Sequence, residues 1–155
     1  MPQPQKASAR DVAKYIIQLS QDIGEPVTNM KLQKLLYYSY AWYLVEKNKE
    51  KKLFEEPIVA WKYGPVIKDI YMMYKEYEAD VIKVAKDGEV DNLDEEARNI
   101  IEDVFKVYGA KNGIELANLT HLEQPWIQSY EEGKENVITD ELIFTFYKSI
   151  QAKAA

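Results

Sequence analysis

The sequence predicts a mainly α fold: a compact single-domain bundle of about six to seven helices around one central apolar helix, about residues 28–47. Three observations carry that expectation. Apolar residues recur at i, i+3, i+4 spacing in several successive stretches, most of them opened by a capping residue. One of these stretches is apolar nearly all round, as a helix buried in the middle of a domain must be. The turns between stretches are short and the apolar pattern resumes at once, so no linker divides the chain.

The elements follow in order. Ser8 opens a helix with Asp11 three positions later, a capping-box arrangement, and Val12, Tyr15, Ile16, Leu19 and Ile23 continue it until Gly24 and Pro26. Thr28 caps the central helix, and Val27 can staple onto Leu32. Leu32, Leu35, Leu36, Ser39, Trp42 and Tyr43 form one of its faces; Tyr37, Tyr40, Ala41 and Leu44 form another. Pro57-Ile58-Val59-Ala60-Trp61 is too short for a helix and reads as extended. Gly64-Pro65 then reads as a sharp turn with proline at the first position of a third helix, whose stripe is Ile67, Ile70, Tyr71, Tyr74 and Tyr77. Residues 81–85 form a candidate strand, so one short β hairpin or strand pair is expected near 58–61 and 81–85. Asp94 caps a fourth helix through Ile100, Ile101, Val104, Phe105 and Tyr108, stopped at Gly109. A short helix over 112–121 carries Ile114, Leu116 and Leu119, Pro125 starts another turn or helix with Trp126, and Thr139 caps the last helix. Residues 1–7 are expected as a flexible N-terminal tail, 8–150 as the helical domain and 151–155 as a C-terminal tail.

Composition narrows the function classes. The chain has 155 residues, 46% hydrophobic and 30% charged, the balance of a folded globular domain rather than a disordered one. It has no apolar run near the roughly 20 residues needed to cross a bilayer and its first residues lack the pattern of a secretory signal, so a cytoplasmic location is expected, with no membrane partner. Without cysteine there is no disulfide, thiolate metal site, iron–sulfur cluster or cysteine nucleophile. The net charge of −6 argues against nonspecific phosphate-backbone binding, and a basic protein partner would be steered favourably.

Catalytic motifs are missing. There is no Gly-x-Ser-x-Gly elbow, and Gly64 and Gly88 stand alone without a phosphate-binding fingerprint. Adjacent acidic pairs such as Glu55-Glu56 diverge by about 100° on a helix and read as solvated charge. The one histidine, His121, two residues before Glu123, reads either as a general base or half a metal site, or as a helix-ending residue bonded locally. The local role is favoured, because a metal would find only carboxylates to complete its shell. No cofactor or metal is expected, and no catalytic residue is assigned. A small hydrolase-like enzyme centred on His121 and Glu123 stays as an alternative, with Lys62 or Tyr63 converging on them in a pocket as its signature.

Tyrosine is the unusual feature, with twelve residues clustered towards Tyr37 to Tyr77. Most belong to the core on helical spacing, yet Tyr and Trp also anchor protein interfaces. Tyr71, Met72, Met73 and Tyr74 cover more than one helix face, so Tyr71, Met72, Met73, Tyr74 and Tyr77 are the candidate partner-binding residues.

Three segments then carry a resemblance: Leu32-Gln33-Lys34-Leu35-Leu36-Tyr37-Tyr38, Ala60-Trp61-Lys62-Tyr63-Gly64-Pro65-Val66, and Leu119-Thr120-His121-Leu122-Glu123-Gln124-Pro125-Trp126. In this order the chain resembles the Panacea antitoxin domain family, the SocA-like and phage-associated GepA-like proteins, over roughly residues 8–150. The resemblance implies an antitoxin, encoded beside a small toxin on a prophage or other mobile element, that neutralises the toxin by direct binding. It also implies, for the SocA branch, an adaptor that hands the toxin to the ClpXP protease. Some relatives carry an N-terminal DNA-binding domain; few residues precede Ser8, so nucleic acid is not an expected partner without one. Among the motif residues, Leu32, Leu35, Tyr37, Trp61, Gly64, Pro65, Pro125 and Trp126 read as scaffold. Lys34, Lys62, Tyr63, Thr120, His121 and Glu123 either satisfy buried turns or face a shared pocket, and the structural role is favoured.

Overall fold

The segment expected at the centre, α2 (Asn29–Glu46), is the hub on which the other elements are assembled. The structure, a computed structural model, describes residues 6–154. Thr28 caps α2, its hydroxyl accepting the Lys31 N–H at 3.2 Å. Around it pack α1 (Ala9–Asp22), α4 (Glu95–Tyr108), α5 (Gly113–Thr120) and α7 (Asp140–Ala154). A helix enclosed from four sides has no solvent face, which explains why its apolar residues follow no single stripe. Leu32, Leu35, Leu36, Tyr37, Tyr38 and Leu44 are all buried, and they join one continuous hydrophobic cluster with residues from every surrounding helix named so far.

The other helix starts are fixed by short polar side chains, as the sequence indicates. Asp94 accepts the Ala97 N–H at 2.8 Å, and Thr139 accepts the Leu142 N–H at 3.3 Å. Asn112 and Glu115 bond each other's backbone at 2.8 and 3.1 Å, a complete capping box at the head of α5. At α1 the Asp11 carboxylate receives the Ser8 N–H at 2.9 Å, and also the Glu89 N–H at 2.8 Å and the Asn92 amide at 3.2 Å. Burial opposes ionisation of Asp11, but these donors outweigh it and hold the carboxyl below its ordinary range. One aspartate thus caps α1 and pins the 3₁₀ turn Val90–Asn92 onto it.

Four expectations are corrected. The strand pair does not join 58–61 to 81–85: β1 (Val59–Trp61) pairs antiparallel with β2 (Gly64–Val66), in the register Val59 to Val66, Ala60 to Pro65 and Trp61 to Gly64. On its other side β1 meets residues 136–138, with the Ala60 N–H on the Asn136 carbonyl at 2.9 Å and the Ile138 N–H on the Ile58 carbonyl at 2.8 Å. Residues 81 and 82 run beside the start of α2 instead, where the Ile82 N–H bonds the Val27 carbonyl at 2.8 Å. Second, Gly64-Pro65 is strand rather than helix start; the turn is Lys62-Tyr63, and Gly64 follows it at φ 109°. Proline is tolerated there because β2 is an edge strand and needs no donor at that position.

Third, the expected third helix is broken. α3 (Lys68–Met73) is followed by a separate 3₁₀ turn, Lys75–Tyr77, which ends at Glu78 with φ 52°. Fourth, α7 continues to Ala154, past Ile150 where the domain was expected to give way to a tail. Most of the N-terminal tail expected over 1–7 lies outside the described residues, as does Ala155. Among the described residues, no helix is long and apolar enough to cross a membrane.

Candidate functional site

The three sequence segments that carry the resemblance meet at one junction. Gly64 on β2 lies under α2 and α5 so closely that a Cβ there would stand 2.6 Å from Lys34 Cε and 2.7 Å from Thr120 Oγ1. Thr120 turns its hydroxyl back onto the Ala117 carbonyl at 2.7 Å, and Lys34 Nζ donates to the Pro65 carbonyl at 3.1 Å. The short helix α6 (Gln124–Ser129) closes the junction: Trp126 Nε1–H reaches the Trp61 carbonyl at 2.8 Å. Pro125 is buried in its first turn, and the His121 ring packs on Trp126 with centroids 4.0 Å apart.

Two polar sites diverge from this junction. The first is a closed aromatic cage around Glu123, whose Oε1 receives the hydroxyls of Tyr38 at 2.8 Å and Tyr147 at 3.0 Å. The Tyr147 and Tyr37 hydroxyls lie 3.1 Å apart, so with the Tyr147 proton on Glu123 it is Tyr37 that donates to Tyr147. Tyr38 stacks on Tyr108 at 4.0 Å, and the Tyr108 hydroxyl accepts the Trp42 Nε1–H at 3.0 Å. Burial raises the Glu123 carboxyl above the ordinary carboxylate range, against the two hydroxyl donors that lower it. Burial likewise raises the Tyr37, Tyr38 and Tyr147 hydroxyls well above their ordinary value. This is a sealed hydrogen-bond network that locks α2, α6 and α7 together.

The second site is open. A groove of about 850 Å³ lies between the first turns of α2, the β1–β2 hairpin, the 71–79 segment and the head of α5. From α2 and its cap come Thr28, Asn29, Met30, Gln33 and Lys34; from the hairpin, Trp61, Lys62, Tyr63 and Val66; from the far side, Tyr71, Lys75, Glu78 and Ala79; and from α5, Gly113 and Ile114 behind Asn112. Tyr63 and Ile114 are more than half exposed, at 57% and 65%, so this wall offers apolar surface to solvent. Beneath it the floor is polar and organised. Asn29 donates to the Tyr71 carbonyl at 3.0 Å and accepts from Gln33 at 3.0 Å, while Gln33 Oε1 accepts the Ile67 N–H at 2.9 Å. Lys34 is 1% exposed, and burial pushes its ammonium down to about 7. Trp61 packs edge-on against Tyr71 at 4.9 Å, and its buried Nε1 has no hydrogen-bond partner among the described residues.

The antitoxin SocA-like, Panacea domain family matches residues 32–127, well over half of the chain and including all three junction segments in full. The chain belongs to this family. It is also similar to Antitoxin SocA of Caulobacter vibrioides (strain NA1000 / CB15N), at 35% identity over 71 residues. That stretch is 46% of this chain and 37% of the relative, so the match spans little more than a third of the relative's length. No solved structure matches.

The Panacea segments divide by role once they are placed. Leu32, Leu35, Tyr37 and Pro65 are buried scaffold, with Gly64 and Thr120 as the tight contact that holds it. Lys34, Trp61, Lys62 and Tyr63 line the groove. His121 and Glu123 do not: the ring faces Trp126 and the carboxylate faces Tyr38 and Tyr147. The hydrolase arrangement needs His121 and Glu123 beside Lys62 or Tyr63 in one pocket, and the fold separates the two pairs.

The expected partner-binding residues are separated too. Only Tyr71 lines the groove. Tyr74 is fully buried, its hydroxyl accepting the Lys86 N–H at 2.9 Å, so it supplies no surface. Met72 is exposed, while Met73 and Tyr77 pack half-buried against the core. Sequence reasoning missed Asn29, Met30, Gln33 and the head of α5. A signal for the first and third was present: Asn29 and Gln33 are amides one turn apart on a helix that is mostly apolar and enclosed. Such groups need partners supplied by tertiary structure.

Proposed function

We propose that this protein is an antitoxin that neutralises a cognate protein toxin by direct binding, and that the groove is the surface it uses. Family membership supports the antitoxin role. The observation that supports the groove is that three family-segment residues, Trp61, Lys62 and Tyr63, share a wall with Tyr71 and Ile114, where Tyr63 and Ile114 expose apolar surface, while a fourth, Lys34, lies buried beneath them. Solvent-facing apolar side chains next to a pocket with an organised polar floor are the anatomy of a binding patch: an aromatic and aliphatic anchor zone with fixed polar groups beneath. The Glu123 cage and the Gly64 contact serve it by holding the hairpin, α5 and α6 in register.

Co-expression with the small protein encoded beside it tests this reading. Growth rescue together with co-purification is the expected result. Rescue that survives charge reversal across the groove surface, with the complex intact, excludes the groove as the contact. Delivery of the toxin to a protease such as ClpXP is a further step requiring a second partner, and it is read separately as a shortened toxin half-life.

A further inference from the structure

The solvent-facing charges of the groove run against the charge of the molecule that carries it. The chain has a net charge of −6, yet the exposed charged side chains lining the groove are Lys62, Lys75 and Glu78, two cations to one anion. Lys34 is sealed beneath them and is not one of these accessible groups. Elsewhere Lys47, Lys49, Lys52 and Lys68 each meet a carboxylate of a distant segment. Neither Lys62 nor Lys75 has an ion-pair partner among the described residues. The Lys62 ammonium lies 5.6 Å from the ring centroid of Tyr63, so one of the two cations sits beside the exposed aromatic anchor of the wall. The backbone explains why Lys75 and Glu78 do not neutralise each other. Three residues apart, they would meet on a continuous helix, as Lys106 and Asp103 do on α4 at 4.0 Å. Here the chain leaves its 3₁₀ turn through Glu78 at φ 52° and ψ −120°, and the Asp80 N–H closes onto the Tyr77 carbonyl at 2.9 Å. That is a type II′ turn with glutamate in the position that favours glycine. It takes the Glu78 side chain out of helical register with Lys75 and leaves both lip cations free.

We infer that the toxin segment occupying this groove is apolar and flanked by acidic side chains, whose carboxylates meet Lys62 and Lys75 at the solvent-facing lip while the apolar residues pack on Tyr63 and Ile114. This rests on the groove being the toxin-binding surface. The sign is the new content. A net charge of −6 alone would favour a basic partner, whereas the contact surface selects a locally acidic one. A nucleic-acid strand fits less well, because its phosphates need a longer row of cations and the acidic remainder of the surface repels them. The lip pairs form in water, so they contribute choice of partner more than affinity.

The test uses the full chain, labelled with ¹⁵N, and three capped peptides that differ only in the flanks of one apolar core: Glu-Leu-Phe-Leu-Glu, Gln-Leu-Phe-Leu-Gln and Lys-Leu-Phe-Leu-Lys. Binding is followed at the Tyr63 and Ile114 amides at low salt. The expected order of affinity is glutamate, then glutamine, then lysine, with the glutamate peptide roughly fivefold above the glutamine one, the size of two exposed ion pairs. High salt removes the difference. Lys62→Glu combined with Lys75→Glu reverses the order. Glu78→Lys, which keeps the same turn and changes only the charge, widens it. Equal affinities, a lysine peptide that binds best, or absence of any binding in the wild-type protein overturns the inference whatever the variants do. Self-association of the chain that the double lysine variant abolishes overturns it in favour of a second copy as the occupant. The outcomes separate from those for the docking surface. Peptides that bind at Tyr63 and Ile114 without regard to their flanks remove only this inference. The expected order, with toxin affinity unmoved by Ile114→Asp, removes only the docking role.

Discussion

Lys34 and Gly64 are in mutual van der Waals contact, with room between Lys34 Cε and the Gly64 backbone for no further carbon: a Cβ at Gly64 would stand 2.6 Å away. The contact ties the central helix to the edge strand at the point where the groove floor meets the junction of the three family segments. Much of the molecule's behaviour depends on whether that contact is kept.

Gly64→Ala is therefore expected to destabilise by roughly 2–4 kcal/mol, combining a left-handed backbone at φ 109° with crowding against Lys34 and Thr120. Gly133→Ala is the control, since its φ is also positive at 77° but nothing lies within 4 Å of its added Cβ. Urea midpoints of the two variants, compared with the wild type, separate the steric part from the conformational part.

Lys34→Met should raise stability at neutral pH. The sign follows from linkage. Burial lowers the Lys34 ammonium from 10.5 to about 7, so between those values the unfolded chain holds a proton that the folded chain has released. Stability contributed by this site thus rises with pH, by about 1.4 kcal/mol per unit from about pH 7 upward. The variant lacks that slope. Urea unfolding at several values from neutral to moderately alkaline pH, wild type against variant, isolates it. A parallel slope in both proteins contradicts the assignment.

The Glu123 cage makes a different prediction for two substitutions at one position. Glu123→Gln retains an oxygen that accepts from Tyr38 and Tyr147 and is expected to be no less stable than the wild type at neutral pH. Glu123→Ala leaves two buried hydroxyls without their acceptor and should cost about 2–4 kcal/mol. The folded carboxyl is raised, so its contribution is fully present below its unfolded value of 4.5 and is lost as pH rises through the folded value. The glutamine variant should lose that dependence in mildly acidic denaturation curves.

Asp11 titrates in the opposite sense. Its folded carboxyl is lowered, so its stabilisation is present above the unfolded value of 3.8 and is lost as pH falls below it. Asp11→Ala removes the acceptor for Ser8, Glu89 and Asn92 together and is expected to cost roughly 2–3 kcal/mol. Faster amide exchange across 86–93 is the accompanying signature. Unchanged exchange there contradicts the role of Asp11 as the tie between α1 and that loop.

The sequence was informative where the structure is determined locally. Thr28, Asp94, Asn112 and Thr139 announce helix starts because a cap acts on backbone groups two or three residues away, and the apolar period of α2 shows that it is enclosed. Gly64-Pro65 was ambiguous for the same local reason: the pair suits the start of a helix as well as an edge strand after a tight turn. What settles it is the presence of 136–138 on the far side of β1, which no neighbouring residue encodes. The groove was illegible in a stronger sense. Its walls come from segments around Asn29, Trp61, Tyr71 and Ile114, and only the packed fold makes Lys34 a buried group with spare donors. The Tyr71 to Tyr77 stripe misled because the third helix stops at Met73, which turns Tyr74 and Tyr77 to different surroundings from those a continuous helix would give.

The most direct test of the groove as the toxin-binding surface is the affinity of the Ile114→Asp variant for the cognate toxin proposed as its partner, measured by titration calorimetry against the wild type. Ile114 is 65% exposed in the first turn of α5, where an acidic residue is compatible with the helix dipole, so the fold should be unaffected. The account predicts a loss of affinity of at least about tenfold with unchanged thermal stability, as expected for a charge placed in the core of an interface. Undiminished affinity in a folded variant would contradict it and move the contact to another face of the molecule.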